Sequence, residues 1–302
     1  MKVLIFGASG FVGPYLAKEF EEHGYEVIGT DIKETIAMPF KFADILDTGS
    51  VERVVRETAP DMIVNLAAIS SVGQSWNIPQ TTVSVNVIGA LSILEAAKRL
   101  EKSPKILFVG SSEEYEASDE PISEKNPLNA NNPYGISKAA QERFAEVYRE
   151  RFGMKIYCVR PFNHTGPGQS DSFVLPSFCK QVAEIEKSGK PGVIKAGNLS
   201  AKRDFSHVKD IVRAYRMILE SDDSETVYNV GSGMAHSLRD MLNYILKFSK
   251  QEITVEVDPK RFRPIDTPVI CCDNGLIREK LGWKPQLSVF DALREMVEVY
   301  LR

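Results

Sequence analysis

Cysteine and histidine are scarce. Four of each in 302 residues, widely scattered, cannot organise a fold. Cys158, Cys179, Cys271 and Cys272 form no C-x-x-C pair, and the adjacent Cys271 and Cys272 are badly placed to bridge each other. That excludes a disulfide scaffold; free thiols packed as small hydrophobes in a reducing cytoplasm are expected. His23, His164, His207 and His236 lack ligand spacing, so no metal site is expected. Long apolar runs are missing as well. No stretch approaches the ~20 apolar residues of a membrane span, and only about five follow Lys2 before glycines interrupt, too few for a secretory leader. Nor is there a surplus of positive charge: 37 Lys and Arg face 41 Asp and Glu, a net charge of −4. A general nucleic-acid binder needs a basic surface, so no nucleic-acid partner is expected. What remains is ordinary globular composition, 43% apolar and 26% charged, with enough chain for a sizeable core.

Short apolar runs bounded by turn residues alternate with helical stretches. The runs at 2–6, 25–30, 61–67, 105–110 and 155–160 read as strands buried on both faces. Helical patterns near 13–23, 50–58, 81–101 and 133–152 lie between them. This alternation predicts an α/β fold with a Rossmann-like, doubly wound parallel sheet. After Arg160 the rhythm loosens. A Pro/Gly-rich turn (160–169) leads to a helix near 173–188, a short strand around Val193 and Ile194, a helix near 207–221 and a strand at 226–230 able to rejoin the sheet. Ser237 opens an S-x-x-D helix start, and a last helix lies near 289–301. The expected organisation is a dinucleotide-binding domain, residues 1–161 and about 205–231, with a smaller discontinuous C-terminal lobe from about 162–204 and 232–302 that binds substrate.

Gly7-Ala8-Ser9-Gly10-Phe11-Val12-Gly13 follows the first strand and opens the first helix. In that context each glycine of G-x-x-G-x-x-G has a physical reason to be there. Gly7 makes the tight turn, Gly10 lets backbone approach a pyrophosphate, and Gly13 lets helix pack closely on strand. The helix end then offers free N–H groups to phosphate. Phe11 and Val12 belong to the same candidate cofactor loop. Asp31, followed by Ile32, ends the second strand. A carboxylate there accepts the ribose hydroxyls of NAD and repels a 2′-phosphate, so NAD(H) is preferred; nearby Lys33 keeps NADP(H) open. A strand-end turn aspartate is the plainer alternative. Asp44 and Ile45 resemble an adenine-edge contact. Leu66, Ala67 and Ala68 end the third strand with small residues, where backbone must pass close to a cofactor.

Tyr134 and Lys138 lie four apart in N-P-Y-G-I-S-K, and Pro133 suits a first helical turn, so their side chains share one face. An ammonium beside a phenol is expected to lower the phenol's pKa, fitting it for proton transfer to or from a reacting oxygen. Ser111 follows the fourth strand, at the carboxyl edge where ligands of such sheets bind. Its hydroxyl can bond the same oxygen.

Together these segments resemble the extended short-chain dehydrogenase/reductases. The resemblance implies that Ser111 and Tyr134 bind the reacting oxygen, that Tyr134 is the acid/base, that Lys138 also holds the nicotinamide ribose, and that Pro161 and Phe162 flank the nicotinamide. Phe6 stands where the family often has threonine, and Glu116 where glycine is usual after Tyr115, so the turn there departs from the pattern. Three further segments, Arg160 to Gln169, Gly197 to Phe205 and Arg263-Pro264-Ile265-Asp266, look like the GDP-4-keto-6-deoxy-mannose reductases, as does the compact length. The implied activity is reduction of a 4-keto GDP-sugar. Ser112 and Glu113 would line the substrate site, Asn163 would bond the diphosphate, and Asp266 the nucleotide ribose. Arg203 and Arg263 would clamp the diphosphate or nucleotide, since guanidinium matches phosphate geometry; surface ion pairs with neighbouring Asp204 and Asp266 are the plainer alternative. Glu113 also occupies the position of the catalytic glutamate of the 4,6-dehydratases, which makes dehydration of GDP-mannose the main alternative; a 4-epimerase is a third. A non-catalytic sensor of the same fold is disfavoured because Ser111, Tyr134 and Lys138 are all present. The resemblance also implies a homodimer paired as a four-helix bundle through the helices near 81–101 and 133–152, whose patterns equally suit simple core packing.

Overall fold

A computed structural model of the chain describes residues 1–221, 223, 226–258 and 267–302. Its strands, in chain order, are β1 (Lys2–Phe6), β2 (Glu26–Asp31), β3 (Phe40–Phe42), β4 (Met62–Asn65), β5 (Lys105–Val109), β6 (Ile156–Pro161), β7 (Asn163–Thr165), β8 (Gly192–Ala196), β9 (Lys202–His207), β10 (Val227–Val230), β11 (Ala235–Ser237), β12 (Ile253–Val257) and β13 (Val269–Ile270). The helices are α1 (Gly13–Glu22), α2 (Thr48–Thr58), α3 (Val72–Asn77), α4 (Pro79–Val83), α5 (Gly89–Lys98), α6 (Pro133–Phe152), α7 (Val174–Ser188), α8 (Val208–Glu220), α9 (Leu238–Leu246), α10 (Gly275–Leu281) and α11 (Val289–Leu301).

Seven strands form one sheet in the order β3-β2-β1-β4-β5-β6-β10, every neighbouring pair parallel. The winding reverses between β1 and β4, and the crevice beyond the carboxyl ends of these strands is where a doubly wound sheet receives its ligand. Period-two alternation sends Val3 and Ile5 to a core shared with α1, α8 and α10, around Phe20, Tyr215 and Trp283. Leu4 and Phe6 face the opposite core, with Val51 and Val55 of α2 and Ile93 and Leu94 of α5. Burial on both faces is the reason these strands read as continuous apolar runs. The chain beyond β6 builds a second core in which α7, α9 and α11 pack with β8 and β9. There β9 pairs with β7, β11 and β13, and β8 pairs with β12. From β9 the chain runs directly into α8, on the face of the main sheet.

The helix expected near 81–101 is divided. A π-helical turn, Ser84–Ile88, separates α4 from α5. Buried Asn86 in this turn accepts the Ile69 N–H (2.8 Å) and donates to the Ile69 carbonyl (3.2 Å) and to Ser137 Oγ (2.8 Å). Aiming one polar side chain at both the Ile69 loop and α6 takes one extra residue in the turn.

Asp210, in the first turn of α8, ties the C-terminal segment to the sheet. Its Oδ2 accepts the amides of Gln286 (2.9 Å) and Leu287 (2.8 Å), and its Oδ1 pairs with Arg213 (2.6 Å). The Trp283 indole donates to its main-chain carbonyl (3.1 Å). Asp210→Ala orphans the Gln286 and Leu287 amides and leaves Arg213 with only the Lys284 carbonyl, so it is expected to cost about 2–4 kcal/mol. A fall in the urea midpoint at unchanged m-value is the measurement; an unmoved midpoint refutes the tie.

Candidate active site

The loop after β1 is built on contacts that only glycine permits. Gly7 has φ of +77°, and a Cβ on it would lie 2.5 Å from the Ala67 nitrogen; a Cβ on Gly13 would lie 2.0 Å from the Ala8 carbonyl oxygen. Strand β4's end and helix α1 are thus drawn against the loop. Val12 caps α1 with no side-chain bond. Asp31, at the end of β2, accepts the Ser9 amide on Oδ2 (3.1 Å) and the Ile32 amide on Oδ1 (2.7 Å), which fixes its carboxylate beside the glycine loop with lone pairs to spare. Asp44 closes a turn by accepting the Leu46 amide (2.9 Å), and Ile45 is buried beneath it.

A cleft of about 870 Å³ runs from this loop, past the end of β5, to the second core. Its cofactor-side wall includes Gly7, Gly10, Phe11, Val12, Leu66 and Ala68. Beyond β5 it is lined by Ser111, Ser112, Glu113, Tyr134 and Lys138, and further on by Phe162, Asn163 and Arg203. Gly13, Asp31, Ile32, Asp44, Ile45 and Ala67 lie outside this lining. Arg263 and Asp266 fall outside the described residues. The glycine cradle, the α1 N-terminus without a side-chain cap and the fixed Asp31 carboxylate fit a dinucleotide.

Tyr134 is the second residue of α6. Asn132 caps that helix by accepting the Gly135 amide (2.9 Å), and Pro133 begins it. Tyr134, 9% exposed, has its phenol beside the Ser111 hydroxyl. Burial pushes the phenol well above its ordinary pKa; the Ser111 bond pulls it back, while Glu114 and Glu113 push it further up. Lys138 is 2% exposed, and its Nζ donates to the Val109 carbonyl (2.6 Å) at the end of β5. Burial pulls the ammonium down to about 8, opposed by Glu114. The expected depression of the phenol by Lys138 is therefore not found. The four-residue spacing does put both on one helical face, but the Val109 carbonyl engages the ammonium and the phenol's partner is Ser111.

Glu113 accepts a bond from Asn132 Nδ2 (3.0 Å) at the cleft wall. Arg203 is nearly buried and donates to the Lys202 carbonyl (2.8 Å). His164 stacks on Phe11, ring centroids 6.3 Å apart, and burial lowers its pKa, holding the ring neutral. Tyr215 of α8 also reaches the cleft from the core beneath it. Nothing in the sequence singles it out, since on an amphipathic helix it reads as a core aromatic.

The family described as GDP-mannose 4,6 dehydratase matches residues 4–296. A GDP-6-deoxy-D-mannose reductase from Pseudomonas aeruginosa is 28% identical over 299 residues, spanning 98% of this chain and 96% of its own. A GDP-mannose 4,6-dehydratase from Yersinia enterocolitica is 30% identical, spanning 98% and 92%, across 346 aligned positions. Among solved structures, RMD from Pseudomonas aeruginosa complexed with NADPH superposes with a TM-score of 0.86 at 26% identity, covering 99% of this chain and 97% of its own. The UDP-glucose 4-epimerase of Thermus thermophilus in complex with NAD gives 0.88 at 28%, covering 99% of each.

Gly7→Ala forces the loop away from Ala67. Dinucleotide affinity, read by NADH fluorescence titration, is expected to fall at least about tenfold, or roughly 1.4 kcal/mol; wild-type affinity in the variant would remove the loop from that role.

Proposed function

The chain belongs to the GDP-mannose 4,6-dehydratase family, and from that premise we propose that it reduces the 4-keto group of GDP-4-keto-6-deoxy-D-mannose, giving GDP-rhamnose or its C4 epimer. The observation that carries this reading is the placement of Tyr134 in the cleft beside Ser111 and Lys138. A ketone being reduced needs a proton on its oxygen, and burial keeps that proton on the phenol while Ser111 holds the phenol at the cleft. NAD(P)H, when bound, supplies the hydride. Tyr134 gives its proton to the C4 oxygen, Ser111 orients that oxygen, and Lys138 serves the cofactor ribose. Gly7, Gly10, Phe11, Val12 and Gly13 cradle the pyrophosphate, Asp31 and Ile32 meet the adenosine ribose, and Asp44 and Ile45 the adenine edge. Leu66, Ala67, Ala68 and Phe162 enclose the nicotinamide half. NAD(H) is the preferred form because the fixed Asp31 carboxylate would repel a 2′-phosphate. Asn163 and Arg203 meet the diphosphate, and Ser112 and Glu113 the sugar.

What supports reduction over dehydration is the alignment itself: 98% of this chain aligns with the reductase over 299 positions, but takes 346 positions, with long insertions, against the dehydratase. One observation favours the second reading, GDP-mannose 4,6-dehydration. The Glu113 carboxylate lines the cleft two residues from Ser111, where a base for loss of water would sit. We further propose a cytoplasmic homodimer built as a four-helix bundle. Ile136, Phe144 and Val147 of α6 and Val83 and Ile88 beside α5 are exposed apolar side chains without cover in the single chain. No described helix is long and apolar enough to cross a membrane.

Purified protein is expected to consume NADH when given the keto sugar, and to form no 4-keto product from GDP-mannose alone. Absorbance unchanged at saturating keto sugar, with cofactor binding verified, refutes reduction; 4-keto product from GDP-mannose establishes the second reading. Tyr134→Phe removes the proton donor and is expected to lower kcat by at least about 100-fold. NADH affinity should stay close to wild type, and a variant that turns over normally excludes Tyr134 as the donor.

A further inference from the structure

Directly beneath the Ser111–Tyr134 pair lies a carboxyl group that the reaction above does not use. Glu114 is fully buried at the end of the single 3₁₀ turn Ser112–Glu114. Its Oε1 accepts the Ser111 amide (2.7 Å), while Ser111 Oγ accepts the Glu113 amide (3.1 Å), a reciprocal cap that sets the orientation of Ser111. Gly110 makes room for it: a Cβ there would lie 2.3 Å from Oε1. Its Oε2 has no hydrogen-bond partner among the described residues.

The surroundings suit a neutral acid. From α6 it faces Tyr134, Lys138 and Glu142; from β6, Cys158 and Arg160; from the residue before its own turn, the Ser111 amide. Arg160 is the nearest guanidinium, with Nε 3.9 Å from Oε2, but it is already engaged. Its Nε and Nη2 donate to Glu142 and its Nη1 to the Tyr115 hydroxyl (2.6 Å). An ionised Glu114 would thus sit in the core with one amide bond and a second carboxylate competing for the same cation.

We propose that Glu114 is a positioning residue: as a neutral acid it holds Ser111 in line with Tyr134, and when it ionises as pH rises it becomes a counter-ion for Lys138, so that the ammonium facing the cleft keeps its charge. Burial and Glu142 push the Glu114 carboxyl up to about 8, the level to which burial pulls Lys138, and each opposite charge favours the other. Once Glu114 is an anion, Lys138 gains a counter-ion in a dry site and its own proton is held to higher pH.

The test compares the pH dependence of kcat/KM in wild type, Glu114→Gln and Glu114→Leu. Gln keeps an acceptor for Ser111 but cannot ionise. It is expected to stay within about threefold of wild type at pH 6.5, roughly 0.6 kcal/mol, and to lose activity about one pH unit lower on the alkaline side. Leu orphans the Ser111 amide and is expected to be slower at every pH. An alkaline limb that does not move in Gln overturns the proposal, as does a Gln variant as slow as Leu at pH 6.5. These kinetics rest on the reductase reading. A second measurement does not: infrared difference spectra of wild type against Glu114→Gln, recorded without substrate. The expected result is a protonated-carboxyl band at pH 6.5 that disappears as pH rises through about 8 and belongs to Glu114. Its absence overturns the proposal, whereas failure to reduce the keto sugar with the band present counts against the reductase reading alone.

Discussion

A single carbonyl, that of Val109 at the last position of β5, gathers the chemistry of this protein. Lys138 donates to it at 2.6 Å and Gln141 Nε2 at 3.2 Å, both from α6. Burying an ammonium costs several kcal/mol unless polar groups receive it, so the carbonyl does more than stitch a helix to a sheet. It fixes the rotation of α6 about its axis. Tyr134, one turn earlier, then faces the residues that follow β5, and Ser111 is the second of these. Were α6 turned by one residue, about 100°, Lys138 would lose the carbonyl and Tyr134 the serine together.

The rest of the structure reinforces that placement from the other side of α6. Asn86, carried on the π-helical turn, donates to Ser137 and clasps the backbone of Ile69. Ser137 in turn donates to the Tyr134 carbonyl (2.7 Å). Three loops at the carboxyl edge of the sheet, after β1, β4 and β5, are therefore held to one another by glycine contacts and buried polar bonds rather than by apolar packing. That division is physical. The apolar cores on the two sheet faces supply stability without direction, and the polar edge supplies direction where ligands arrive.

Legibility in the sequence followed the same division. Strands β1, β2, β4, β5, β6 and β10 were readable because burial on one or both faces demands apolar runs. β3 was not: it has three residues at the sheet edge with Phe42 exposed, and no run marks it. The π-helical turn was hidden because one added residue barely disturbs a helical apolar period, and only the polar Asn86 betrays it. In the site, the glycines were legible because each forbids a Cβ. The nearness of Ser111 to Tyr134 came from topology. The state of Tyr134 did not come from the sequence, because the phenol's pKa depends on burial and on which neighbour receives the Lys138 ammonium, and spacing reports neither. Glu114 was equally opaque, since adjacent acids in a turn read as solvated.

The acidic balance of the chain bears on what this site can recognise. A net charge of −4 gives no long-range pull on a nucleoside diphosphate sugar. Recognition must then come from groups whose cost of burial is already met in the free protein. Arg203 fits that description, nearly buried and bonded to a main-chain carbonyl. So does the glycine loop, whose backbone is fixed by contacts a side chain would break. A site organised in this way loses little entropy when an anion enters, because its cation and amides are already ordered. It also discriminates by shape, since a phosphate out of register with these fixed donors meets the acidic field with no compensating bond.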